Sequence, residues 1–162
     1  MTHAERVNQE IIKQTDPRLT SAINRYGCRL MCLLAIPQYV VGKCLSYIQI
    51  LDIVYRGRTY PTVIENSHMR TGRDEHWLIN QGFEALGSTR QGRQVGWTPA
   101  QIDTVQWEYM IAHWETFGPD GHYTLHDRNQ ELIYDPHDPI QAGYEIDMRR
   151  IQRRLLYRTW EA

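Results

Sequence analysis

Three residues that lie far apart in the chain, Cys28, His122 and Asp135, have side chains that together suit nucleophilic catalysis. A thiol attacks well only as a thiolate, and a helix N-terminus or a nearby imidazolium lowers its pKa from about 8.5. A histidine then acts as the general base, and a carboxylate or amide holds the imidazole in the productive tautomer. The three side chains predict cleavage of an amide or related acyl bond, in which Cys28 attacks, His122 shuttles the proton and Asp135 orients His122.

The candidate nucleophile stands where a buried helix is expected to begin. An apolar run extends from Cys28 to Ile36, and Pro37 is expected to close it. Gly27 loosens the backbone immediately before the run, so we expect Cys28 in the first turn of the helix.

The other two candidates are expected at one end of a β-hairpin. Residues 122–127 are predicted to form a strand, and residues 131–134 the returning strand after a tight turn at Arg128-Asn129. Asp135-Pro136 starts the loop that follows, since a proline cannot donate to a sheet ladder. His122 then opens one strand and Asp135 follows the next, so their side chains can meet without being adjacent in sequence.

This order of parts resembles the papain-like superfamily of cysteine peptidases. The closest resemblance is to bacteriocin-processing (double-glycine-type) peptidases, where Gly-Cys or Asp-Cys starts the helix and Gly-His-Tyr or Gly-His-Phe starts the strand of the base. The matching segments are Tyr26-Gly27-Cys28, Gly121-His122-Tyr123 and Tyr134-Asp135-Pro136. The Tyr-Gly-Cys start is also similar to that of a group of phage- and plasmid-borne proteins. The resemblance implies a papain-like fold and a Cys-His-Asp triad.

The sequence departs from the family at the oxyanion donor, which is usually a glutamine about six residues before the nucleophile. Ala22 occupies that position, so Asn24 and the backbone N–H of Cys28 are the donors expected in its place. The departure leaves a second hypothesis open beside the cysteine peptidase or amidase. It is a non-catalytic binding protein on the same fold, an accessory factor of a phage or mobile element that engages a host protein.

The remaining elements predict an α+β fold in one domain, residues 1–162, with an N-terminal helical layer packed on a C-terminal antiparallel sheet. The helical layer begins with a leader helix within residues 1–16, followed by a connector that contains Leu19 and Ile23. Further elements are expected as helices at 45–55 and 74–86, a long loop from Arg56 to Arg73, strands at 107–114 and 155–160, and a turn at 117–121.

Other interpretations of the same residues remain open. Cys28 is also typical of a small buried core residue, and Cys32 and Cys44 are expected to be structural. Three late histidines and one aspartate form a possible metal cluster for a metal-dependent hydrolase: His122, His126, His137 and Asp135. Because His122 and His126 would stand about 13 Å apart along a strand, we expect no metal and no cofactor.

Composition narrows the choice of partner. The 162 residues carry a formal net charge of −1, with 41% hydrophobic and 23% charged residues, which predicts a folded protein without broad attraction to nucleic acid. A late arginine cluster is expected to be a solvated face: Arg149, Arg150, Arg153 and Arg154. The chain has neither a secretory signal pattern nor an apolar run of membrane-spanning length, so we expect a cytoplasmic protein that acts on a peptide or protein.

Overall fold

The computed structural model describes residues 1–56, 64–65, 68–69, 73–114, 122–137 and 151–162. Six helices lie in these ranges: α1 (His3–Glu10), α2 (Ser21–Tyr26), α3 (Cys28–Val41), α4 (Tyr47–Arg56), α5 (Arg73–Ala85) and α6 (Gln101–Thr104). The strands in the same ranges are β1 (Ile64–Glu65), β2 (His68–Met69), β3 (Arg90–Gly96), β4 (Tyr109–Trp114), β5 (His122–His126), β6 (Leu132–Tyr134) and β7 (Ile151–Glu161). The α+β class expected from the sequence is confirmed. No helix in the described ranges is long and apolar enough to cross a membrane.

The main sheet has five strands in the order β3-β7-β4-β5-β6, and every neighbouring pair is antiparallel. α3 and α5 cover one face, where buried helical residues such as Leu33 and Ile79 share a core with Ile111 and Leu125 of the sheet. A second, smaller apolar cluster consists of other buried residues: Trp107, Met110, Ala112, Trp114 and Leu156. Because β4 alternates between the two clusters, the helical layer and the sheet are held together through one of its faces.

α3 is longer than the sequence predicts, because Pro37 lies inside the helix and does not end it. The helix continues to Val41 and stops at Gly42, whose φ of 79° lies in the left-handed region that glycine adopts without strain. Every residue from Arg29 to Tyr39 is buried. Tertiary packing around the helix therefore outweighs the backbone hydrogen bond that the proline removes.

The N-terminal leader helix is shorter than expected. α1 opens with a capping box formed by Thr2 and Glu5, but it ends at Glu10 and does not continue toward residue 16. The backbone N–H of Gln14 instead donates to the carbonyl oxygen of Pro136 at 3.0 Å. This hydrogen bond to a distant segment replaces a helical one, so residues 11–14 run beside the end of β6.

The segment expected as a connector around Ile23 is in fact helical. It forms α2, where the hydroxyl of Thr20 accepts the N–H of Ile23 at 3.3 Å and caps the first turn. Ile23 is completely buried. A helix of six residues is too short to show a periodic apolar pattern, which is why the sequence did not predict this element.

β3 is a strand that the sequence analysis missed. Its sequence, Arg-Gln-Gly-Arg-Gln-Val-Gly, has neither alternating apolar residues nor a buried run. A Cβ atom on Gly92 would come within 2.8 Å of the Ile79 side chain on α5, so the close approach of the helix favours glycine there. The strand is specified by pairing with β7 and by contact with α5, neither of which is local in sequence.

Some predicted segments lie outside the described residues. They are the turn at residues 117–121 and most of the long loop from Arg56 to Arg73, within which β1 and β2 pair with each other. The closing strand predicted at 155–160 is confirmed, and β7 begins earlier, at Ile151. In the late basic cluster, Arg153 is exposed and Arg154 is half-buried in β7.

The contact between α3 and α5 predicts a destabilising substitution. A Cβ atom at Gly82 would lie 2.7 Å from Cγ of Pro37, a ring that cannot rotate away. We expect Gly82→Ala to lower the free energy of unfolding by about 1–2 kcal/mol, the cost of overpacking less the helix propensity of alanine. Urea denaturation measures this, with Gln81→Ala on the same helix as the control. A Gly82→Ala variant at least as stable as the wild type would contradict the close packing of these helices.

Candidate active site

Cys28 is the first residue of α3, and its side chain is half-buried. Gly27 ends α2 and also caps α3, donating its N–H to Ile23 and accepting the N–H of Met31, each at 2.9 Å. A Cβ atom at Gly27 would stand 2.6 Å from the carbonyl oxygen of Ile23. Glycine is therefore required because the two helices meet there without a loop, and this junction fixes where the sulfur leaves the backbone.

His122 and Asp135 are brought together by the hairpin, as the sequence predicts. Nε2 of His122 lies 2.7 Å from Oδ1 of Asp135, and the two residues are only 5% and 4% exposed. Pairing of Leu125 with Tyr134 sets the register that places His122, at the start of β5, beside the residue after β6. A carboxylate accepts hydrogen bonds, so Nε2 carries the proton and Nδ1 is the nitrogen able to act as a base.

Asp135 is held by contacts on both sides of the loop. Its Oδ1 atom also accepts the backbone N–H of His137 at 3.0 Å, and its carbonyl oxygen accepts Nζ of Lys13 at 2.6 Å. The hydroxyl of Tyr134 donates to the carbonyl oxygen of Ile12 at 2.9 Å. The N-terminal segment thus fastens the end of β6, and the carboxylate has a fixed orientation toward His122.

The sulfur of Cys28 lies against β5, where it contacts the backbone of Tyr123. Burial raises the pKa of the Cys28 thiol to about 11, outweighing the lowering by backbone hydrogen bonds that include one with Tyr123, the residue after His122. The charge of Asp135 raises the same pKa further. The start of α3 therefore meets β5 at the backbone of Tyr123.

The direction of this pKa change corrects the sequence analysis. A helix N-terminus was expected to lower the pKa of Cys28, but removal of the sulfur from water has the larger effect. The thiol is then protonated at neutral pH unless another group accepts its proton. Chemistry at Cys28 consequently depends on a base within reach.

Strand alternation limits how such a base can approach. Tyr123 and Leu125 pack toward α3, whereas Thr124 faces the other side, where it accepts the indole N–H of Trp114 at 2.8 Å. His122 follows the direction of Thr124. Because His122 is the first residue of β5, a contact between its imidazole and the sulfur has to form around the start of the strand.

Asn24 is not placed to serve as an oxyanion donor. Its side-chain amide donates to the carbonyl oxygens of Gln14 at 2.6 Å and of Asp16 at 3.0 Å. Both amide hydrogens are thereby used to fasten the N-terminal segment to α2. The backbone N–H of Cys28 remains as the donor proposed from the sequence.

Gln14 is a residue near the site that the sequence analysis did not identify. It is completely buried, and its side-chain amide donates to the carbonyl oxygen of Asn24 at 3.1 Å. Within the described part of the chain its Oε1 atom has no hydrogen-bond partner. Gln14 joins α2 to the loop after Asp135, a relation between distant segments for which a lone glutamine gives no signal in the sequence.

The other histidines of this region have separate environments. The His137 ring lies 5.0 Å from the His122 ring, and burial and then the charge of His122 lower the pKa of His137. His126 contacts the Thr124 hydroxyl at 2.7 Å and the Gln130 carbonyl at 3.2 Å, and burial lowers its pKa too. Among the residues that the structure describes, no group of three or more His, Cys, Asp or Glu side chains could hold a metal ion.

The two other cysteines lie in different surroundings from Cys28. Cys32, one turn along α3, is completely buried, and burial raises its pKa. Cys44 is half-buried, with its sulfur 3.6 Å from the carbonyl oxygen of Val7.

No family model, curated protein or solved structure matches the chain. The arrangement of Cys28, His122 and Asp135 is therefore the basis for any functional proposal.

The environment of the sulfur predicts a pH dependence for chemical modification. In a His122→Ala variant, alkylation of Cys28 by iodoacetamide is expected to accelerate about tenfold per pH unit between about pH 8 and pH 10, because only the thiolate reacts. Mass spectrometry of the labelled peptides measures it, with Cys44 in the same molecule as the reference. A rate for Cys28 that levels off by about pH 8 would show that its pKa is not raised.

Proposed function

We propose that the protein is a papain-like cysteine hydrolase that cleaves a peptide or amide bond through Cys28, His122 and Asp135. The observation that carries the proposal is the buried hydrogen bond of 2.7 Å between His122 and Asp135. The residue after His122 is Tyr123, whose backbone contacts the sulfur of Cys28. A buried imidazole and carboxylate in contact supply a base and a group that orients it, and a thiol at a helix N-terminus that meets the same strand supplies the nucleophile.

The raised pKa of Cys28 implies how the proton moves. With a pKa of about 11, the sulfur is a thiol at rest and its proton passes to Nδ1 of His122 as the sulfur attacks the carbonyl carbon. The imidazolium then protonates the amine, which departs, and the acyl group remains on Cys28 as a thioester. Water, activated by the same imidazole, hydrolyses the thioester to a carboxylic acid and restores the thiol.

Asp135 acts through His122 and not on the substrate. Its carboxylate keeps the proton on Nε2 and stabilises the imidazolium that forms during attack. The hydrogen bond from the His137 backbone N–H and the contact of Lys13 with the same residue keep Asp135 from turning away. The backbone N–H of Cys28 is the donor that we assign to the developing oxyanion.

The chain order of the elements supports the papain-like assignment. The cysteine helix precedes the antiparallel sheet, His122 opens one strand of that sheet and Asp135 follows the adjacent strand. Together with the segments Tyr26-Gly27-Cys28 and Gly121-His122-Tyr123, this order is what the resemblance to bacteriocin-processing peptidases implies.

Two observations favour a second candidate, a non-catalytic binding protein on the same fold. Asn24 is committed to backbone carbonyls, and burial raises the pKa of the thiol. In this case the protein holds a peptide or a host protein without cutting it, and Cys28 is a packing residue. The two candidates differ in whether His122 changes the reactivity of Cys28.

Alkylation at neutral pH distinguishes the candidates. If His122 accepts the proton of Cys28, His122→Ala is expected to slow labelling of Cys28 by iodoacetamide at pH 7 by about 10²-fold or more. Asp135→Asn, which favours the wrong tautomer, is expected to slow it in the same direction. His3→Ala, at an exposed position, is the control. Equal labelling in the wild type and the His122→Ala variant would contradict the hydrolase and favour the binding protein.

Turnover is the direct test of the reaction. A pool of fluorogenic peptide amides is expected to be cleaved by the wild type and not by Cys28→Ala, because the acyl-enzyme cannot form without the sulfur. Cys44→Ala, which removes a half-buried thiol elsewhere, is expected to keep the activity. Cleavage that persists in Cys28→Ala would assign the reaction to other residues.

A further inference from the structure

A buried ion pair stands next to the proposed nucleophile. Arg29 follows Cys28 in the first turn of α3, and its guanidinium donates to Oε1 of Glu75 near the start of α5. The residues are 8% and 2% exposed. Such burial is unusual for arginine and glutamate, which lie mostly at protein surfaces. The pair therefore joins the N-terminal turns of the two helices that cover the sheet.

The same pair also contacts the sheet at two strands. The guanidinium of Arg29 lies 5.5 Å from the centre of the Tyr123 ring, in a cation–π contact with the residue after His122. Tyr157 on β7 is completely buried, and burial and then the charge of Glu75 raise its pKa. Arg29 and Glu75 thus link α3 and α5 to the strand that carries the proposed base.

Stability alone does not account for a buried pair of this kind. Removing two charges from water costs free energy that their attraction repays only with full hydrogen bonding. Nε of Arg29 is buried without a hydrogen-bond partner among the described residues. Apolar side chains of similar size would fill the same space without this cost. The pair is therefore better suited to fixing a position than to stabilising the fold.

The first turn of α3 needs such a positional constraint. Its cap residue, Gly27, has no side chain and makes no side-chain hydrogen bond to the helix. The side chain of Arg29, in that turn, reaches both Glu75 of α5 and the Tyr123 ring of β5. The placement of Cys28 relative to β5 consequently depends on where Arg29 is held.

We propose that Arg29 and Glu75 are positioning residues of the site, which hold the first turn of α3 against the start of β5 and so set the approach of the Cys28 sulfur to His122. The proposal rests on the proposed function, because it concerns proton transfer between these two residues. Neither Arg29 nor Glu75 touches the reacting atoms in this scheme. They act through the geometry of Cys28.

The test replaces the pair by apolar residues of similar size, Arg29→Met with Glu75→Leu, so that no buried charge is left without its partner. The matched control is Asp52→Leu with Arg56→Met, which removes the exposed ion pair of α4. Thermal unfolding shows whether each variant folds. Labelling of Cys28 by iodoacetamide is followed across pH, with and without His122→Ala, so that the contribution of His122 is obtained as a ratio of rates.

The buried double variant is expected to fold and to lose at least about tenfold of the acceleration that His122 gives at neutral pH, while the control keeps it. Arg29→Lys keeps the charge next to Glu75 but loses the planar contact with Tyr123, and we expect it to restore part of the acceleration. If the double variant does not fold, Arg29→Lys serves as the test. An acceleration by His122 that is unchanged in Arg29→Lys would then overturn the proposal.

The two levels of the argument fail differently. If His122→Ala slows labelling in the wild type but the buried double variant labels at the wild-type rate, the positioning role is overturned and the proposed function stands. If His122→Ala has no effect in the wild type, the proposed function fails and the positioning role fails with it.

Discussion

The hydrogen bond between His122 and Asp135 is the interaction on which the other features of the site depend. It joins two residues that lie on opposite sides of a turn, and it forms only if β5 and β6 pair in the observed register. A shift by one residue would direct one of the two side chains to the other face of the sheet. The pairing of two short strands thus decides whether an oriented base exists.

The N-terminal segment packs against the end of β6 and stabilises this strand register. Its contacts with the end of β6 involve Ile12, Lys13 and Gln14, each of which reaches Tyr134, Asp135 or Pro136. These contacts exclude water from Asp135, which is only 4% exposed. A carboxylate in such an environment interacts strongly with the imidazole beside it, since the local dielectric is low. The shortened α1 and the orientation of the base are therefore parts of one arrangement.

Burial also raises the pKa of Cys28, the proposed nucleophile. In the proposed mechanism the helix N-terminus alone does not activate such a thiol, so the approach of the sulfur to His122 decides its reactivity. The proposed positioning role of Arg29 and Glu75 belongs here, because Arg29 in the first turn of α3 contacts both Glu75 of α5 and the Tyr123 ring of β5. The proposal therefore makes the reactivity of Cys28 depend on contacts from α5 and β5 as well as on its own helix.

The sequence by itself determined several of the elements and the candidate residues. An apolar run gave the helix that starts at Cys28, although not its extension past Pro37, and apolar periodicity gave the helix expected at 74–86. Alternation and turn residues gave the hairpin that carries His122 and Asp135. These signals depend on near neighbours. Tertiary structure decided the rest. Pro37 lies inside α3, and β3 forms on a polar segment. The Asn24 side chain donates to a backbone carbonyl of the N-terminal segment, and burial reverses the expected pKa change of Cys28. Each of these depends on contacts between distant segments, whose desolvation and packing no local pattern records.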